Sequence, residues 1–250
     1  MTQRIDTSYR LGYTLSYKDA LLSTVSQSCH GCCQVCSVPP MEIQDKQETL
    51  RYLQRYDIHL YVHAPMNTNL ATTTSWRHTL HTYQTDWINW RGIPIGYVVH
   101  VGRVGSLDLV KQRIKTLVIP NNVTIYLENA AGQGTELGTT MEEMRQCLAV
   151  RPDFKLCLDT QHSFASGLCS FATKEDVDKW LGYKPDLIHL NDSVVPFGKR
   201  VDRHANLGQG EIWKHDKTTI NYLLDKSKGI DLVLETPEAK EDWLRFMPVK

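Results

Sequence analysis

No stretch of this 250-residue sequence is apolar for long enough to cross a bilayer. Its opening residues, MTQRIDTSYR, lack the apolar centre of a secretion signal. Neither sign of charge dominates, because 28 Lys and Arg balance 28 Asp and Glu. Bulk attraction to nucleic acid or to an anionic membrane is thereby excluded, and any anion must be met by a local patch or a bound cation. No linker, low-complexity tract or break in composition divides the chain, so residues 1–250 read as one domain. The seven cysteines are an odd number beside no export signal, which leads us to expect an intracellular, reducing compartment, cytoplasm or nucleus.

What the sequence does contain is a recurring pair: a short β-branched or apolar run, then a helix-like stretch. The runs lie near residues 9–15, 32–35, 59–63, 97–101, 124–128, 154–159, 187–191 and 231–235. Helical stretches fall at 45–56, 76–90, 106–118, 140–149, 173–181 and 218–227. Thr140 and Thr173 stand three residues before Glu143 and Asp176, the spacing of a capping box. Eight strands alternating with helices over this length predict an α/β fold, a (β/α)₈ TIM barrel. A doubly wound open sheet is the second choice, but it calls for a Gly-rich turn after the first strand, and LGYTLSYKDA has no GxGxxG.

The chemistry sits at the ends of these runs. They close on His63, His100, Glu128, Asp159, His189 and Glu235, spaced mostly near the roughly 31 residues of one βα unit of such a barrel. Three more residues of ligand type follow closely: His162, Asp202 and His204. A lone His at a strand end is usually a core or surface residue, and a lone carboxylate there usually caps the next helix. Nine together on one rim are a different matter. Unpaired buried carboxylates cost several kcal/mol each, and a divalent cation supplies the missing charge. Imidazole and carboxylate without thiolate suit Zn²⁺ or Mn²⁺.

CHGCCQVC places Cys29, Cys32, Cys33 and Cys36 at a doubled C-x₂-C spacing. The two halves overlap where the second strand is needed. Buried strand cysteines are therefore the leading reading, with a local disulfide or an accessory metal as alternatives. Cys147, Cys157 and Cys169 have no such spacing and read as packing residues.

The segments LENAAGQG, CLDTQHSFASG, HLND, RVDRHANLGQG and LETP resemble endonuclease IV, the zinc-dependent apurinic/apyrimidinic endonuclease family of DNA repair. The resemblance runs from about residue 10 to 245. It implies three zinc ions at the mouth of a barrel. His63, His100 and Glu128 would hold the first; Glu128 would bridge to a second completed by Asp159, His189 and Glu235; His162, Asp202 and His204 would hold the third. It also implies a monomer that hydrolyses the phosphodiester 5′ to an abasic site in duplex DNA, leaving a 3′-hydroxyl and a 5′-deoxyribose phosphate. Trimming of blocked 3′ ends would follow from the same chemistry. Glu128, Asp159 and Glu235 would be the catalytic carboxylates.

Departures from the family pattern concern DNA handling. Met66 stands where a Tyr is usual, SVPPMEI (37–43) lacks the basic and aromatic residues of the loop that enters the minor groove, Val101 replaces a Pro, and Gln161 replaces a Cys. Lys199, Arg200 and Arg203 remain as a local basic cluster for phosphates. These changes predict a lower preference for abasic sites over nicked or damaged ends. Two other readings compete. Metal-dependent sugar isomerases and epimerases of the same barrel group would use Glu128, Asp159, His189 and Glu235 but need no third site. A non-catalytic DNA-end or metal-binding module would be marked by missing ligands, and none is missing.

Overall fold

The computed structural model describes residues 9–15, 31–36 and 43–247. Eight parallel strands close into a barrel in the order β1-β10-β7-β6-β5-β4-β3-β2. They are β1 (Arg10–Leu15), β2 (Cys32–Cys36), β3 (His59–His63), β4 (Ile95–His100), β5 (Val123–Glu128), β6 (Lys155–Asp159), β7 (Leu187–Leu190) and β10 (Asp231–Leu234). Around them run α1 (Ile43–Tyr56), α2 (Trp76–Asn89), α3 (Leu107–Thr116), α4 (Met141–Leu148), α6 (Lys174–Leu181), α7 (Thr218–Lys226) and α8 (Ala239–Phe246). All eight expected strands are present, each within about two residues of its expected bounds. Among the described residues no helix is long and apolar enough to cross a membrane.

Alternation along the strands builds the interior in layers. Cys32, Tyr61, Val98, Cys157, Leu187 and Val233 pack together as one buried apolar layer. Two residues further along come Gln34, His63, His100, Asp159 and His189 on the strands, and Glu235 just past the end of β10. A polar layer thus rests directly on an apolar plug, at the C-terminal mouth. The opposite strand faces pack against the helices in the larger core cluster.

Four elements escaped the sequence pattern. The helix α5 (Thr160–Ser166) starts immediately after β6, and β8 (Asp192–Ser193) pairs antiparallel with β9 (His204–Ala205); α8 is the fourth. The predicted caps are real: Thr140 Oγ1 accepts from Glu143 N and Thr173 Oγ1 from Asp176 N. The box at Thr140 is not reciprocal, since Glu143 Oε2 reaches past it to Gly138 N and Thr139 N, each at 3.0 Å. Cys29 and residues 37–42 of the SVPPMEI loop lie outside the described residues. Cys32 and Cys33 are buried on β2 as expected; Cys36, at its end, is exposed instead, because β2 stops at the rim.

Candidate metal centre at the C-terminal mouth

Glu128 is fully buried at the end of β5 and lies amid four imidazoles. Its Oε2 is 3.1 Å from His63 Nε2 and 3.4 Å from His100 Nε2. Its Oε1 is 2.9 Å from His189 Nδ1 and 3.4 Å from His162 Nδ1. His189 Nδ1 is also 3.1 Å from Glu235 Oε2. On the far side, Asp202 Oδ1 lies 3.5 Å from His162 Nε2 and 3.4 Å from His204 Nε2. Four groups among the described residues each bring one ligand atom per residue within 4.8 Å: His63, His100 and Glu128; Glu128, Asp159, His189 and Glu235; Asp159, His162 and His204; and Glu128, Cys157 and His189. The third differs from the sequence grouping by including Asp159 beside the two rings that Asp202 touches. All nine residues meet at or beneath a cavity of about 500 Å³, whose wall also includes Cys36, Met66 and Thr236.

The rings are aimed by backbone. His63 Nδ1 bonds Ala64 O at 2.7 Å, His162 Nδ1 bonds Asn129 O at 2.8 Å, and His204 Nδ1 bonds Glu235 O at 3.2 Å. A proton held on Nδ1 leaves Nε2 free to face the cluster, as metal-bound histidines are usually held. His204 Nε2 is buried with no hydrogen-bond partner among the described residues. A buried ring nitrogen aimed at two carboxylates fits coordination of a cation, and so does the mixed imidazole and carboxylate donor set.

Residues outside the nine hold the loops, and they explain the motifs. Asp159 Oδ1 caps α5 by accepting from His162 N at 2.7 Å, while Oδ2 accepts from Asn191 Nδ2 at 2.6 Å. One carboxylate therefore serves both as helix cap and as candidate ligand. Asn191 Oδ1 accepts from Glu235 N, and Asn129 Oδ1 from Asp159 N. Asp192 accepts four backbone N–H groups, from Ser193, Gly208, Gly210 and Ile212, and so ties down the loop that bears Asp202 and His204. Gly210 is required there, because a Cβ would fall 2.4 Å from Ser193 O and 2.7 Å from Asp192 Oδ1. The amide of Gln133 accepts from Asp202 N, linking the loops after β5 and β7. Sequence reasoning passed over Asn129, Asn191, Asp192 and Gln34, although the first three stood inside the motifs it quoted.

Burial opposes charge throughout this cluster, and the neighbours decide each outcome. For Glu128, burial is outweighed by His100 and His189, which hold the carboxyl well below its usual range. Burial is likewise overcome at Glu235 by His189, and at Asp202 by His162, which keeps that carboxyl at about 2. At Asp159 burial prevails and raises the carboxyl. His162 sits well above the ordinary imidazole value and His63 above it, because nearby carboxylates defeat burial; His189 is also well above it, raised against burial by the Cys157 thiol and then by Glu235 and Glu128. At His100 burial wins, and the ring falls to about 4. Bound divalent cations would displace the protons that these rings otherwise gather.

Met66 is 63% exposed on the rim beside His100. Lys199, Arg200 and Arg203 are exposed on the loop between β8 and β9, together with Val194 and Phe197. Arg203 folds one guanidinium N–H onto Asp202 O at 2.7 Å. Gln161 Nε2 donates to Val201 O at 3.0 Å, one residue from Asp202.

Residues 23–247 match the protein family described as a xylose isomerase-like TIM barrel. The probable endonuclease 4 of Cenarchaeum symbiosum is 33% identical over 205 residues, which cover 72% of this chain and 72% of that protein. The probable endonuclease 4 of Haloarcula marismortui is 33% identical over 160 residues, 60% of this chain and 57% of its own length. The chain thus spans less than two thirds of that relative. The crystal structure of endonuclease IV from Thermus thermophilus superimposes with a TM-score of 0.78 over 94% of this chain and 96% of the other, at 23% identity, so the two share a fold. The chain belongs to the endonuclease IV family of xylose isomerase-like TIM barrels.

Proposed function

We propose that this chain is a DNA repair endonuclease that hydrolyses the phosphodiester 5′ to an apurinic/apyrimidinic site, giving a 3′-hydroxyl and a 5′-deoxyribose phosphate, and that it trims blocked 3′ ends in the same site. The observation that carries this reading is the convergence of five imidazoles and four carboxylates around one open cavity of about 500 Å³. Three Zn²⁺ ions, with Mn²⁺ as an alternative at one or more positions, match that donor set. His63, His100 and Glu128 would hold one; Glu128, Asp159, His189 and Glu235 a second; His162, Asp202 and His204 a third. Such ions, when bound, supply a water that ionises near neutral pH and positive charge for phosphate oxygens.

The chain's own residues do the rest. Glu128 turns one oxygen toward His63 and His100 and the other toward His162 and His189, so it sets the distance between neighbouring groups. Carbonyls of Ala64, Asn129 and Glu235 keep three rings in one tautomer. Lys199, Arg200 and Arg203 on the rim meet the DNA backbone, and Met66 lies where the strand enters. No separate side-chain base is needed. A sugar isomerase would employ the four-residue group alone and leave His162, Asp202 and His204 without a task.

A duplex with one abasic site, labelled at the 5′ end of the damaged strand, tests the reading with the chain acting as a monomer. The expected product is a shortened strand ending in an extendable 3′-hydroxyl. An intact strand in the presence of zinc, or a β-elimination product with a sugar remnant on its 3′ end, would overturn it.

A further inference from the structure

Gln34 is fully buried on the inner face of β2. Its Nε2 donates to Glu235 Oε1 at 2.6 Å and to Thr14 Oγ1 at 3.2 Å, and its Oε1 lies 3.0 Å from His189 Nε2. The amide has only one sensible orientation. An ionised carboxylate can only accept, so Nε2 must face Glu235, and Oε1 is left facing His189. A neutral His189 therefore carries its proton on Nε2 and turns the Nδ1 lone pair toward Glu128 Oε1 and Glu235 Oε2, 2.9 and 3.1 Å away.

This is the reverse of its neighbours. His63, His162 and His204 are held through Nδ1 by backbone carbonyls, which no substitution of the accepting residue's side chain deletes. His189 is held by a side chain, and that same side chain holds Glu235. We propose that Gln34 is a positioning residue for the group formed by Glu128, Asp159, His189 and Glu235, fixing the tautomer of one ligand and the rotamer of another with a single amide; this rests on reading the mouth as a metal centre. Residues that orient metal ligands in this way typically account for 10–100-fold in metal affinity.

Zinc affinity, not cleavage, is the test. Metal-stripped wild type, Gln34→Met and Gln34→Glu are titrated with zinc against a chromophoric chelator, with circular dichroism as the check on folding. Long-range ¹H–¹⁵N spectra report the ring tautomers. In Gln34→Met we expect one ion to bind at least about tenfold more weakly while the others are unchanged, and His189 to lose its fixed Nε2–H tautomer. In Gln34→Glu the acceptor for His189 remains, so the tautomer is kept, but Glu235 loses its donor and the same ion weakens. Wild-type zinc affinity in whichever variant folds overturns the proposal. Wild type that binds zinc yet leaves abasic DNA intact ends the functional reading alone, and active wild type beside variants of unchanged affinity ends this inference alone.

Discussion

The two ends of the barrel enclose cavities of similar size, about 480 Å³ at the N-terminal ends of β3 to β5 and about 500 Å³ at the C-terminal mouth. The same strands serve both ends: β3 carries His59, Tyr61 and His63, and Asp231 and Val233 of β10 are followed by Glu235. Volume and residue type therefore do not tell the ends apart. Completeness does. At the N-terminal end, Asp231 receives Tyr61 Oη at 2.8 Å and His59 Nδ1 at 2.6 Å, and Arg10 joins His59 to Asp57. Every acceptor named there has a donor. At the C-terminal mouth, ring nitrogens whose opposite side is already bonded face carboxylate oxygens, acceptor against acceptor. Buried polar groups in that arrangement need a proton or a cation between them. The lesson is that a carboxylate and a histidine in a barrel end mean little until their remaining hydrogen-bond partners are traced.

Substitution at each end is the strongest way to break this contrast. Glu128→Gln and Glu235→Gln should keep the fold and lower cleavage by more than about a hundredfold, since even residues that merely orient ligands contribute 10–100-fold. Asp231→Asn, at the other end, should leave turnover within about twofold, as expected of the face of a TIM barrel that serves stability. Steady-state rates with circular dichroism as a control check both. Equal losses at the two ends would erase the distinction.

Met66→Tyr sharpens the account of the rim. A ring there would support an opened duplex, and unstacking a base step costs a few kcal/mol. Recovering about 1.4 kcal/mol of it would shift the kcat/KM ratio of internal abasic sites over blocked 3′ ends by about tenfold. Both substrates must be measured at one salt concentration, because phosphate contacts make binding salt-dependent. No change in the ratio would mean that another residue does the wedging.

The smallest effect lies at the N-terminal end and concerns pH. The bond to Asp231 raises His59 above its ordinary value of 6.5. A raised histidine stabilises fully below its unfolded value, and that contribution is lost as pH rises through the folded one. Asp231→Asn should therefore lower the denaturation midpoint more at about pH 5.5 than at about pH 9. A deficit that grows with pH would reverse the assignment.

The barrel and the nine converging residues were legible in the sequence for one physical reason. Parallel strands in a closed barrel all end at the same mouth, so residues that close successive runs must meet. What was hidden followed other rules. The helix α5 is seven residues long and buried over its first six, so it has no polar face and no helical period to detect. The ribbon of β8 and β9 rests on two residues per strand and on the carboxylate of Asp192, which no alternation pattern encodes. Gln34 was masked by its cysteine neighbours, although a glutamine on the inner face of a buried strand is itself a sign of a polar partner within. The capping spacing at Thr140 identified the helix start correctly but not where Glu143 would point.

The most direct test of the central claim is to strip the protein of metal, return zinc in measured equivalents, and follow incision of a duplex bearing one abasic site. The account predicts no incision by the stripped protein and a rate that reaches its maximum as the ions bound approach three per chain. Full activity of the stripped protein, or a maximum reached with a single ion bound, would contradict it.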